Sequence, residues 1–302
     1  MATERAAQHG AAERLGRGPT RSALAGLVRF GRQRPLGGIG LLLVLAASVT
    51  AGFAPVLSPF DPLELHQGQG FVPPGAQFWL GTDNLGRDIL SRILYGGRVS
   101  LYVGLLSVLV GNTLGSLAGL VSAYLGGMFD TILQRLVDAM MAFPLLVRAL
   151  TIVAVLGPSV NNVVAAISVI LFPQAARVIR STVLSVKENP YIDAAQAIGA
   201  GQTRIIFVHI LPQCMAPYIV LASIAVGWAI VVEASISFLG AGPPPPTPTW
   251  GGMLSGAARL YGETAPWMVI FPGLAISLAV FGFNLLGDAL RDALDPRLRG
   301  SE

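Results

Sequence analysis

Apolar residues run through this chain in blocks about twenty long, and the polar residues gather between the blocks instead of alternating within them. Six blocks stand out, at residues 36–57, 101–125, 132–156, 160–179, 215–239 and 267–286. Each is close to the roughly 20 residues an α-helix needs to cross about 30 Å of hydrocarbon. The pattern predicts an all-α membrane protein with six transmembrane helices, and an even number of crossings places both termini on one side. Residues 1–35 and 291–302 then form tails around a six-span unit, 36–290, with outer loops at 58–97 and 241–266 and a long connection at 183–213. The first block follows a lead of 35 residues, long for a signal peptide, and reads as an uncleaved span.

Composition agrees: hydrophobic residues make up 53% and charged residues 12% of the chain, where a soluble domain carries about 25% charge. The basic residues orient it. Arg5, Arg14, Arg17, Arg21, Arg29, Arg32 and Arg34, then Arg177, Arg180, Lys187 and Arg204, then Arg291, Arg297 and Arg299 fall on the side of the termini. Arg87, Arg92, Arg98 and Arg259 fall opposite. The positive-inside rule makes the first side cytoplasmic. Charge spread around membrane ends, with no basic stripe interleaved with aromatics, argues against a nucleic-acid partner. Cys214 is the single cysteine, which excludes an internal disulfide, and no His, Cys, Asp and Glu group has metal-ligand spacing. Ahead of the first span, Leu24, Leu27, Val28 and Phe30 alternate with Arg21, Arg29 and Arg32, the pattern of an amphipathic helix on membrane lipid.

Candidate chemistry concentrates in three places. The segment 189–212, NPYIDAAQAIGAGQTRIIFVHILP, is polar and helix-forming between two apolar spans. Asn189 is placed to cap it with its side-chain oxygen and Pro190 fits the first helical position. Ala194, Ala195, Ala197 and Ala200 keep the helix slim, Ile192 and Ile198 are suited to plug a pocket, and Gly199 and Gly201 let it end. It is either a docking knob or a plain connector. In the first outer loop Thr82 or Asp83 can cap a short helix carrying Ile89, Leu90, Ile93 and Leu94, with Asp83, Arg87, Asp88 and Arg92 at pairing distance. Asp130 is expected to cap the third span, with Arg135 and Asp138 on one helical face.

Two charges lie deep in the apolar blocks: Arg148 in the third and Glu233 in the fifth. Charge in lipid is costly enough to demand pairing or a water-lined cavity. Their matching depths predict either an Arg148–Glu233 ion pair or contacts with whatever passes through the protein. No Gly-rich loop with Lys and Ser/Thr is present to cradle phosphates, so this chain cannot hydrolyse ATP by that route, and no catalytic set of acids, His or activated Ser appears. An autonomous secondary transporter would call for matched halves and several buried acids, of which only Glu233 is found.

Asp193-Ala194-Ala195, then Gly199, then His209-Ile210-Leu211-Pro212 resembles the EAA loop of ABC importer permeases, with Asp193 for the usual Glu and His209 where Ile is common. LGTDNLGRDILSRILYGGRVSL from Leu80, GGMFDTILQRLVDAMMAFP from Gly126, SFLGAGPPPPTPTWGGML from Ser237 and LLGDALRDALDPRLRG from Leu285 are similar to the dipeptide, oligopeptide and nickel branch of that family, and cover the chain from about residue 80 onward. The resemblance implies a multi-pass subunit of a bacterial inner membrane that forms half of a translocation pathway. It implies a second homologous permease, two cytoplasmic ATPase subunits that hold the ATP and Mg, an extracytoplasmic substrate-binding protein, and no cofactor on this chain. It assigns ATPase coupling to Tyr191, Asp193, Ala194, Ala195, Ile198, Gly199, Leu211 and Pro212. Short peptides are the expected substrate class, with nickel chelates, glutathione and opines as alternatives.

Overall fold

The computed structural model describes residues 34–294, the side chains of Ala258 and Arg259 excepted; the amphipathic segment expected over 20–34 therefore lies almost wholly outside the described residues. Ten helices follow in order: α1 Pro35–Gly52, α2 Ala54–Leu57, α3 Ile89–Leu125, α4 Gly127–Ala142, α5 Leu145–Leu156, α6 Val160–Lys187, α7 Pro190–Ala197, α8 Gln202–Phe238, α9 Trp250–Leu260 and α10 Trp267–Leu294. Five of these (α1, α3, α6, α8, α10) are long and apolar enough to cross a membrane, and α4 with α5 makes a sixth span bent by 95°.

That bend is the main departure from an uninterrupted third span. Phe143 and Pro144 leave the helix with extended backbone, because the ring of Pro144 disfavours helical geometry in the residue before it and removes a hydrogen-bond donor. α4 buries only Val137 and leaves Met128, Phe129, Ile132 and Leu136 exposed. Asp130 does not cap it. Gly126 holds the N-cap position, and the Asp130 carboxylate accepts Arg180 Nε at 2.8 Å and Nη2 at 2.6 Å across to α6. Asp138 binds Arg177 of α6 as well as facing Arg135 at 3.9 Å.

The centre is α3 lying on α6. Gly111, Gly115 and Gly119 sit four residues apart on α3, and a Cβ on any of them would strike the backbone of Ser168, Phe172 and Ala176 respectively, again four apart. Without side chains at these points the two helices touch backbone to backbone, the packing that dispersion favours when lipid supplies no hydrophobic drive. Ser168 Oγ and Ser107 Oγ bond backbone carbonyls across or along this seam.

Arg34 and Asp292 form an ion pair at 2.8 Å, so the start of the first span and the end of the last meet on one face, here the end face. Lys187 Nζ bonds the carbonyls of Ala123 and Tyr124 at 3.1 Å each, which puts the end of α6 on that face too. On the far face α3 begins twelve residues earlier than its apolar block. Asp88 caps it, accepting the Ser91 N–H at 2.7 Å, so the short separate helix expected after Thr82 or Asp83 is instead the first turns of α3. Arg92, buried there, bonds the Pro62 carbonyl. Asp83 organises a turn, accepting the Leu85 and Arg87 N–H groups and Arg87 Nε at 2.6 Å, and Trp267 Nε1 donates to the Thr82 carbonyl to tie this loop to α10.

Candidate functional site

The long connection on the end face is built as an anchored knob. α6 stops at Lys187, whose ammonium fills the last carbonyls of α3 and lies 5.6 Å from the centre of the Tyr124 ring. Cations belong at such helix C-termini, where carbonyls are left without partners. Asn189 occupies the N-cap position of α7 without capping it: its Nδ2 donates to the carbonyls of Ser185 and Val186. The side chain finishes α6 instead of starting α7. Pro190 does take the first helical position, and Asp193 stands in the first turn, where the helix dipole favours an acid.

α7 divides its residues by face. Ile192 is 1% exposed and Ala195 is buried, one helical turn apart. Ile192 belongs to a buried cluster with Leu120, Ile179, Val183, Ile205 and Ile210, and α7 is rooted in the bundle through the start of α8. Ile192 is not available to plug a partner's pocket, as the sequence suggested. Tyr191, Asp193, Ala194 and Gly199 face outward, and Ile198 is 87% exposed. With Tyr191, Phe207 and Val208 also exposed on this connection, apolar side chains here are left uncovered by the chain itself.

The helix ends in a Schellman turn. Ala200 N–H bonds the Ala195 carbonyl and Gly199 N–H the Gln196 carbonyl, which requires the left-handed conformation that Gly199 adopts at φ 87°. Nothing lies within 4 Å of where its Cβ would be. Glycine is there for conformation and not for clearance.

Beyond it, residues Ile205–Ile210 widen into a π-turn, with Leu211 N–H reaching back five residues to Ile206. Pro212 accounts for this: it has no N–H, and in a regular α-turn its ring would press on the carbonyl four residues earlier. Ile205 and Ile210 face inward, Leu211 is half-buried, and Pro212, Phe207 and Val208 are exposed. The Tyr191 and His209 rings meet at a tilt of 52°, their centres 6.1 Å apart. Tyr191, Asp193, Ala194, Ile198, Gly199 and Pro212 thus share the outward surface, while Ala195 and Leu211 support it from behind.

The deep charges are not brought together. Glu233, 0% exposed, accepts Ser100 Oγ at 2.9 Å and Ser237 Oγ at 2.7 Å. Ser100 Oγ in turn receives the Trp250 N–H at 3.4 Å. The carboxylate therefore joins α3, α8 and α9 beneath the far face. Arg148 forms no ion pair with it, and the guanidinium Nε and Nη1 are buried without a hydrogen-bond partner. Sequence reading missed the Gly111, Gly115 and Gly119 stripe, although its spacing of four is visible, and the Asp130–Arg180 clamp, which no local pattern announces.

The sequence profile of the family described as "binding-protein-dependent transport system inner membrane component" matches residues 111–300, which contain the α7 knob, the α3–α6 seam and Glu233. Named relatives extend the match. The chain is 44% identical over 261 residues to the dipeptide transport system permease protein DppC of Alkalihalophilus pseudofirmus, covering 86% of each chain. It is 44% identical over 268 residues to the di/tripeptide transport system permease protein DppC of Pseudomonas aeruginosa, covering 87% of this chain and 88% of that one. With the glutathione transport system permease protein GsiD of Pectobacterium atrosepticum it shares 43% over 277 residues, 90% of each. The anchored knob, the apolar bundle and these matches lead to one assignment: the chain belongs to the family of inner-membrane components of binding-protein-dependent transport systems.

Proposed function

We propose that this chain is one of two permease subunits of an ATP-driven ABC importer of short peptides, with its end face in the cytoplasm. It forms half of the translocation pathway. The single observation that carries the reading is the division of α7: Ile192 and Ala195 root it in the bundle while Ile198, Ala194 and Tyr191 project from it. A helix of this kind transmits motion because its base is rigid and its tip is free to enter a cleft on a cytoplasmic ATPase subunit. ATP-driven closure of two such subunits then rocks the spans between inward and outward openings. The basic residues at the ends of α6 and α10 and around α7 favour the cytoplasmic side for this face. Peptides are the substrate class by analogy with the dipeptide and di/tripeptide relatives; glutathione, itself a short peptide, is favoured almost equally by the GsiD relatives. An extracytoplasmic binding protein would deliver the substrate to the far face.

The test is Ile198→Asp against Ile192→Asp, each expressed with its neighbouring transporter subunits. Ile198→Asp is expected to leave the permease at normal levels in the membrane, abolish co-purification of the ATPase subunits and stop ATP-dependent uptake. Ile192→Asp should lower the amount of folded permease itself. Normal uptake by Ile198→Asp at normal expression sinks the coupling assignment.

A further inference from the structure

We propose that Arg148 binds the carboxylate of the substrate as it crosses the membrane, and so selects for substrates that carry one. The proposal rests on the peptide reading above. Arg148 lies in α5, eight residues before Leu156 where the span turns toward α6, which at 1.5 Å per residue is about 12 Å beneath the far face and well inside a hydrocarbon layer of about 30 Å. The other buried or half-buried basic side chains of the spanning helices are met by acceptors in the chain, and Arg98, Arg204 and Arg291 are exposed. Arg92 has the Pro62 carbonyl and Asp83, Arg177 has Asp138, Arg180 has Asp130, and Lys187 has the last carbonyls of α3. Arg148 has Nε and Nη1 buried with no such acceptor. The other deep charge, Glu233, is engaged by Ser100 and Ser237.

A half-buried guanidinium at this depth whose Nε and Nη1 find no acceptor among the described residues is unfavourably placed, and a ligand that brings an acceptor to it relieves that cost. The broken span tells where. α5 buries Ala149 and Val153, while Val147 and Thr151 beside Arg148 are exposed. The guanidinium therefore stands at the rim between the chain's own core and the side it leaves open, the side on which half of a pathway would run. A carboxylate is the group that a planar guanidinium fork matches best. Every short peptide with a free C-terminus presents one whatever its side chains, so a single arginine recognises the class without choosing among members. One charge contact also keeps the hold weak enough for release, as conduction requires.

The complete transporter, reconstituted in proteoliposomes with its binding protein, is given one radiolabelled dipeptide with a free C-terminus and the same dipeptide as its C-terminal amide. Wild type, Arg148→Leu and Arg148→Lys are compared by the ratio of the two uptake rates, which cancels any preference of the binding protein. Arg148→Leu is expected to lower uptake of the free-acid peptide about tenfold, the loss of one charge-assisted hydrogen bond, without lowering that of the amide, and Arg148→Lys to restore most of it. An unchanged ratio overturns the proposal. Loss of the second permease from the purified Arg148→Leu complex also overturns it, assigning the guanidinium to a fixed acid on that partner. A wild-type transporter that carries neither peptide removes the peptide reading itself, and does so before any substitution is made.

Discussion

The carboxylate of Asp130 is held by Arg180 in a two-pronged contact, Oδ1 to Nε at 2.8 Å and Oδ2 to Nη2 at 2.6 Å. It links α4, an arm that buries little of itself, to the C-terminal part of α6, which turns directly into α7. Together with the Asp138–Arg177 pair it fixes the angle of the arm against the helix that carries the knob. The Asp130 side chain is largely shielded and Arg180 about a third exposed, so the contact is stronger than an open surface pair and weaker than a buried one.

Removing the charge therefore has a measurable cost. Asp130→Asn is expected to destabilise the purified complex by about 1 kcal/mol, a drop of roughly 3 °C in Tm for a chain of this size, and to reduce uptake. Asp130→Arg combined with Arg180→Asp should recover most of both. If the swapped pair is no better than either single change, the clamp has no role in setting the arm.

The seam between α3 and α6 yields a second expectation. Gly115→Leu pushes a side chain into the carbonyl of Phe172, and backbone cannot yield as a flexible side chain can. Overpacking of this kind costs about 1–3 kcal/mol or more, and here it separates the two helices at the centre of the bundle. Folded protein in the membrane should fall sharply. Gly256→Ala on α9, where no atom lies within 4 Å of the new methyl group, should have no effect on the same immunoblot.

Much of this architecture is legible in hydropathy alone, because lipid forces each crossing to be a continuous apolar helix. What escapes that reading escapes for identifiable reasons. α3 starts at Ile89 and not near Leu101 because Arg92 and Ser91 look soluble in sequence, whereas the folded loop supplies Arg92 with the Pro62 carbonyl and Ser91 with Asp88. α8 extends back to Gln202 through a π-turn that only Pro212 hints at. Pro173, Pro217 and Pro272 stay inside their helices while Pro144 breaks its own, so the presence of a proline in an apolar block does not by itself tell which span is interrupted. The partner of Glu233 is the hardest to read, since Ser100 is 133 residues away. The α7 knob was visible through Pro190, Asp193 and Gly199, yet which isoleucine faces outward depends on where α7 lands against Leu120 and Val183.

Glu233 gives a third prediction, separating its local bonds from a pairing with Arg148. Glu233→Gln retains an oxygen to accept a serine hydroxyl and should fold normally. Glu233→Leu removes the acceptor of two buried hydroxyls, Ser100 and Ser237, and leaves each only the carbonyl four residues earlier in its own helix, a cost of about 1–3 kcal/mol. Less of the Leu variant should therefore survive detergent extraction. Since no Arg148–Glu233 contact exists, the double variant Arg148→Leu with Glu233→Leu should be additive within about 0.5 kcal/mol; coupling well above that would place the two in contact.

The last prediction concerns Gly199. Its φ of 87° lies where L-residues with a Cβ are strained, but the space around it is open. Conformation and bulk therefore make opposite forecasts. If the glycine is required for the left-handed turn, Gly199→Asn should keep near-normal uptake, because Asn tolerates this region. Gly199→Ala should lose a little, consistent with a penalty of about 1 kcal/mol, and Gly199→Val, branched at Cβ, should lose most. A partner surface closing tightly over Gly199 gives a different order, set by size: Ala mildest, then Val and Asn together. Uptake rates for the three variants at matched membrane levels distinguish the two orders. The Schellman bonds from Gly199 and Ala200 favour the first, in which the residue aims Ile198 outward by shaping the turn behind it.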